Sequence, residues 1–136
     1  MAVPLAATAR NLIDGKHTAI LATTNADGSP QSSVIFVKRE GDAVVFSTIR
    51  GRLKTRNMER DPRVSLLVSA HTFAYVEIRG TVTITDDPDK ALLREMFDRY
   101  MDGGEPPPEP GADRVAVRIA ADQVHLWPPA SGTQQS

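Results

Sequence analysis

The chain has 136 residues, 40% of them hydrophobic, and carries 16 Lys+Arg against 17 Asp+Glu for a net charge of -1. That size suits one domain able to bury about two-thirds of its unfolded surface, and the charge balance excludes a global field that would draw the protein onto nucleic acid or an anionic membrane. The absence of cysteine excludes disulfides and thiolate chemistry. No apolar run approaches the ~18 residues of a membrane span, and MAVPLAATAR lacks a charged start followed by a long apolar stretch. The expectation is a single cytoplasmic domain over 1–136, with an exposed Pro/Gly loop at 102–113 and a flexible tail at 129–136.

In chain order, PLAATARNLID (4–14) spaces Leu5, Leu12 and Ile13 as a short amphipathic helix that stops at Gly15. HTAILATT, QSSVIFVK and AVVFSTI follow as three β-rich runs joined by the turn-forming NADGSP and EGD, which predicts an antiparallel meander. GRLKTRNMERDPR holds a helix of two to three turns, because Pro62 disfavours helical geometry at Asp61. RVSLLVSA is a fourth strand. In the fifth, Val76, Ile78, Gly80, Val82 and Ile84 alternate with polar residues, and Gly80 marks a bulge or sharp bend. Asp87 as N-cap and Pro88 as first helical residue open DPDKALLREMFDRYM, whose apolar face is Leu92, Leu93, Met96, Phe97 and Tyr100. After the loop, RVAVRIA and VHLW return to strand. Six or seven antiparallel strands with two or three helices predict a small Greek-key barrel, which closes the sheet edges.

The densest charge lies between the third and fourth strands, where Thr48 to Val64 contains five Arg and one Lys. At the start of the short helix, Arg52 and Lys54 join unpaired backbone N–H groups, and this combination favours an anion. Arginine offers a planar fork and lysine a point charge, the two usual ways of gripping phosphate. Asn57, three residues after Lys54, adds an amide donor on the same face; Ser47 and Thr48 at the end of the preceding strand add hydroxyls. The plain alternative, at even odds on charge alone, is a solvated basic face.

His17, His71 and His125 lack metal-ligand spacing, so no metal site is predicted. No nucleophile elbow surrounds any serine, and no catalytic residue is assigned. Gln31, Ser32 and Ser33 either line the polar edge of a ring or are ordinary strand polarity. Phe73 and Tyr75, read as one face of the fifth strand, either stack on a flat ligand or belong to the core or an interface. Trp127, before two prolines, is a candidate lid anchor.

GSPQSSVIFV, GRLKTRNMERDPRVSLLV, VEIRGTVTI, the amphipathic helix and RVAVRIAADQVHLW, in this order over nearly the whole chain, resemble the pyridoxamine 5′-phosphate oxidase-like split β-barrel superfamily. R-x-K-T-R-N-x-x-x-D-P-R is the most specific match, and the chain looks most like the actinobacterial branch that uses the deazaflavin coenzyme F420. The resemblance implies a homodimer with cofactor sites between subunits, and phosphate held by the residues matching Arg52, Lys54 and Asn57. It places Gln31, Ser32 and Ser33 along the ring, Phe73 and Tyr75 reaching the site from the other subunit, and Trp127 in a closing tail. It implies an oxidoreductase passing a hydride between coenzyme F420 and a small conjugated acceptor such as an enone, a quinone or a tetrapyrrole. The cofactor then does the chemistry, so no nucleophile motif is needed. Many flavin mononucleotide-binding relatives carry an Arg and a Lys in the second strand. Lys38 is present but Gln31 to Val37 has no Arg, which favours the deazaflavin. An FMN-dependent oxidoreductase and a non-enzymatic carrier of F420, flavin or haem stay open as alternatives.

Overall fold

Period-two patterning gives seven strands in one antiparallel sheet, with three helices packed around it; the computed structural model describes residues 2–129. The elements are α1 (Ala7–Asp14), β1 (Ala19–Thr24), β2 (Pro30–Ile35), β3 (Lys38–Glu40), β4 (Ala43–Ile49), α2 (Leu53–Arg60), β5 (Arg63–His71), β6 (Ala74–Asp86), α3 (Ala91–Tyr100) and β7 (Arg114–Trp127). The sheet order is β2-β1-β5-β6-β7-β4-β3. It wraps around a core that includes Leu21, Phe46, Leu66, Ile78, Val117 and Ile119, with Ala9 and Ile13 of α1 buried in the same cluster. Leu92 and Met96 of α3 pack on Val45 in a second, smaller cluster.

The expected three-stranded meander is instead two hairpins. β2 ends at Ile35, two residues intervene, and β3 starts a new pairing with β4, so β2 pairs only with β1. β2 and β3 are therefore the two edge strands of the sheet. RVAVRIA and VHLW form one strand, β7, interrupted by a register shift opposite Arg79/Gly80 that leaves Asp122 as the extra residue. Gly80 is required there, because an added Cβ would lie 2.3 Å from the Ala120 carbonyl oxygen.

Two helix starts also shift. α1 begins at Ala7 rather than Pro4, because the Leu5 N–H is held by Asp42 Oδ1 at 3.0 Å. α3 begins at Ala91 rather than Pro88. The Asp87 carboxylate still caps it, accepting from the N–H groups of Ala91 and Leu92 at 3.1 and 2.9 Å, but from one turn further back. The 102–113 segment is largely exposed loop, as expected. Of the expected 129–136 tail, residues 130–136 lie outside the described residues.

Candidate functional site

Ser47, Arg52 and Lys54 are brought together by a sharp turn between β4 and α2. Gly51 takes φ +96°, a left-handed conformation suited to glycine, and reverses the chain directly into the helix. Arg52 supplies the N-cap with no side-chain cap of its own, so the first backbone N–H groups of α2 remain available at the positive helix end. This turn faces a cleft of about 310 Å³ bounded by the end of β2, the end of β4 and α3. Ser47, Thr48, Arg52, Lys54 and Arg114 form its polar side. Val34 of β2 and Phe36 just after it, with Leu93, Met96 and Phe97 of α3, contribute to its apolar side. Phe36 is held by a parallel stack on Tyr100, with ring centroids 4.3 Å apart.

Among the described residues, neither Arg52 nor Lys54 has an acidic partner, although the chain around them is rich in ion pairs. Lys54 is half-buried. Burial, followed by the Arg52 and Arg114 charges, lowers its ammonium from the ordinary lysine value. A partly desolvated cation repelled by two others is a candidate partner for an anion. Ser47 completes it: Oγ accepts from Arg114 Nη1 at 3.3 Å, which leaves the hydroxyl proton free to donate.

Thr48 lines the cleft but is not a free donor. Thr55 donates its one hydroxyl proton to the Ile49 carbonyl at 2.8 Å, so the 3.2 Å Thr48–Thr55 contact requires Thr48 to donate to Thr55. Thr48 thereby ties β4 to α2. Asn57 is corrected more fully. It is 1% exposed, and its two amide protons go to Thr23 Oγ1 and Asn25 Oδ1 at 3.0 and 2.9 Å. It fastens α2 to β1 and the following turn and does not line the cleft.

The β2 residues divide by strand parity. Gln31 Oε1 accepts from Thr23 at 2.6 Å, extending the Asn57 network, and the buried Ser33 Oγ has no partner among the described residues. Ser32 is exposed on the opposite face. None of the three lines the cleft in this chain.

Phe73 lies in the β5–β6 turn, not on a strand face, and is 72% exposed. Tyr75 and Trp127 are cross-strand partners on the outer face of the sheet. The same face carries a row, Val34–Ile20–Leu67–Glu77–His125, set by the register of five strands. Val34 and Ile20 are exposed within it, at 67% and 45%.

Arg114 was not singled out from the sequence. Only the β4–β7 register, which sets Arg114 opposite Ile49, brings it beside Ser47. Its remaining N–H groups donate to Glu109 at 3.0 and 2.5 Å.

Fold and cleft together define a split β-barrel protein whose cleft has a basic mouth beside an apolar wall. The pyridoxamine 5′-phosphate oxidase family model matches residues 5–128, and the chain belongs to this family. A solved structure described as an F420 reductase is 31% identical with a TM-score of 0.79, over 90% of this chain and 98% of that one. A conserved hypothetical protein from Mycobacterium tuberculosis is 25% identical with a TM-score of 0.74, over 93% and 86%. General stress protein 26 from Bacillus anthracis, 23% identical with a TM-score of 0.70 over 90% and 93%, shares the fold. Among the described residues no helix is long and apolar enough to cross a membrane.

Proposed function

We propose that this protein binds coenzyme F420 in the cleft and acts as a reductase of a small conjugated acceptor, an enone, a quinone or a tetrapyrrole. The observation that carries the reading is the Arg52–Lys54 pair, without an acidic partner among the described residues, beside the Ser47 hydroxyl and the uncapped start of α2. These donors fit a phosphate: a forked cation, a point charge, a hydroxyl and backbone N–H groups converge on one mouth. The likeness to an F420 reductase at 31% identity supports the deazaflavin over flavin mononucleotide. The lack of Arg from Gln31 to Val37 supports it too.

When bound, a deazaflavin supplies two-electron hydride chemistry. The chain's own residues bind and orient. Arg52 and Lys54 tether the phosphate, Ser47 donates to it, and Phe36 with Leu93, Met96 and Phe97 offers an apolar wall that excludes water from a flat ring. Replacing Arg52 or Lys54 with Ala removes a charge-assisted contact of about 1.5–3 kcal/mol, so affinity for coenzyme F420 should fall roughly ten- to a hundredfold in each variant. Calorimetric titration measures this, and unchanged affinity in both variants would leave the cluster a solvated face. Tight F420 binding without acceptor-dependent return of the oxidised deazaflavin band, in an anaerobic acceptor panel, would turn the reading to a carrier. Tight binding of flavin mononucleotide alone would turn it to a flavin oxidoreductase.

A homodimer is part of the proposal. The exposed Ile20 and Val34, with Leu67, Tyr75 and Trp127 on the same outer face, give a second copy an apolar surface to cover. Phe73, exposed in its turn, is the side chain we assign to a partner's cleft. Sedimentation at micromolar concentration should give about twice the 14.8 kDa chain mass. A monomer with full cofactor affinity would remove the shared-cleft model.

A further inference from the structure

The loop between α3 and β7 reaches back to the anion site through one carboxylate. Glu109 accepts from Arg114 Nε at 3.0 Å and from Nη2 at 2.5 Å, while Arg114 Nη1 donates to Ser47 Oγ at 3.3 Å. The Arg114 side chain is only 12% exposed, and its charge is felt at Lys54. A third cation therefore stands behind Arg52 and Lys54, bridged to the site by Ser47. Its field is opposed by a carboxylate on its far side. Lys90, 3.5 Å from Glu109, offsets part of that carboxylate's charge in turn.

We propose that Arg114 and Glu109 set the charge selectivity of the cleft: Arg114 strengthens the hold on any phosphate, and Glu109 lowers the advantage of a doubly charged phosphomonoester over a singly charged phosphodiester. The inference rests on the anion-site reading above and names the residues that decide how the site discriminates between two phosphate classes. The physical basis is that repulsion from a fixed carboxylate scales with ligand charge, so a dianion feels about twice the penalty of a monoanion. Phosphomonoesters carry close to two charges at neutral pH and above, and a phosphodiester carries one. Glu109 thus brings the affinities of the two classes closer together. Coenzyme F420 has a phosphodiester at this position of its side chain and flavin mononucleotide a phosphomonoester, so Glu109 removes part of the preference for flavin mononucleotide that an unopposed Arg114 would give the cleft.

The test uses two probes on one chromophore: the 5′-phosphate of the deazaflavin core of coenzyme F420, and the methyl phosphodiester of that same compound. With the full chain at pH 8 and low salt, Glu109→Gln should bind the diester about threefold tighter and the monoester about tenfold tighter. Arg114→Gln should change both affinities in the opposite direction, again more for the monoester. Glu109→Asp keeps the charge and shifts the geometry, and should leave the ratio of the two affinities unchanged. If Glu109→Gln weakens both probes equally, or changes neither, Glu109 only orders its loop and the inference is overturned. That failure differs from failure of the site itself, in which the wild-type protein binds neither probe or binds both without sensitivity to Arg52→Ala and Lys54→Ala.

Discussion

The two sides of the basic segment have similar charge and opposite roles. Arg50 donates to Glu59 and Asp86 at 2.8 and 2.6 Å and lies 3.2 Å from Asp113, joining β4, α2, the end of β6 and the loop before β7. Arg60 donates to the Thr24 carbonyl and to Asn57, and Arg63 pairs with Asp61 at 2.8 Å. Arg52 and Lys54, between Arg50 and Arg60 in sequence, have no such partner among the described residues. Charge density along the chain therefore does not locate a ligand site. Lys54, without an acidic partner among the described residues and partly withdrawn from water, is what marks the candidate site.

That contrast breaks most visibly at Asn57, which the sequence assigns to the phosphate and the structure assigns to the scaffold. Asn57→Ala removes three hydrogen-bonding partners from a buried position and leaves the Thr23 and Asn25 groups short of a donor. It should cost about 2–3 kcal/mol of stability by urea unfolding. At temperatures where the variant is folded, affinity for coenzyme F420 should change less than about threefold, against the ten- to hundredfold loss expected at Arg52 or Lys54. Arg50→Met should behave in the same sense but more weakly, with a lowered melting temperature that added salt narrows, because exposed ion pairs contribute little and are screened. An Asn57 variant of near-normal stability that fails to bind would return this residue to the site.

The fold was legible because its signals are local and periodic. Alternation from Val76 to Ile84 and the bend at Gly80 are written in the chain, and β4 occupies the predicted AVVFSTI run. The candidate cleft was legible only where its lining residues are close in sequence: Ser47, Arg52 and Lys54 surround one turn. What stayed hidden depends on pairing across the sheet. Arg114 reaches Ser47 through the β4–β7 register, and Thr23 claims Asn57 across 34 residues. Phe73 and Tyr75 look alike at period two, but a tight turn takes Phe73 out of the strand. Helical spacing put Asn57 near the face of Lys54, yet the requirement to satisfy a buried amide decided its partners.

The smallest effect expected is a pH dependence, and its value lies in having opposite signs in two measurements. Lys54 starts from an ordinary value of 10.5, and burial together with Arg52 and Arg114 lowers it in the folded protein. A bound phosphate favours the charged ammonium and raises it again. Affinity should therefore be full below the lowered value and decline as pH rises through it, until the value in the complex is reached, by at most tenfold per pH unit. Stability without ligand should move the other way. Between the lowered folded value and 10.5 the unfolded chain holds more protons at this site than the folded one, so stability rises with pH across that window. Both slopes are to be read as differences between wild type and Lys54→Arg, which keeps its charge throughout and so isolates the contribution of this one ammonium. If wild type and Lys54→Arg lose affinity in parallel, the lysine is solvated like any surface lysine. The distinction between the free and the tied cations of this segment then fails at the residue on which it most depends.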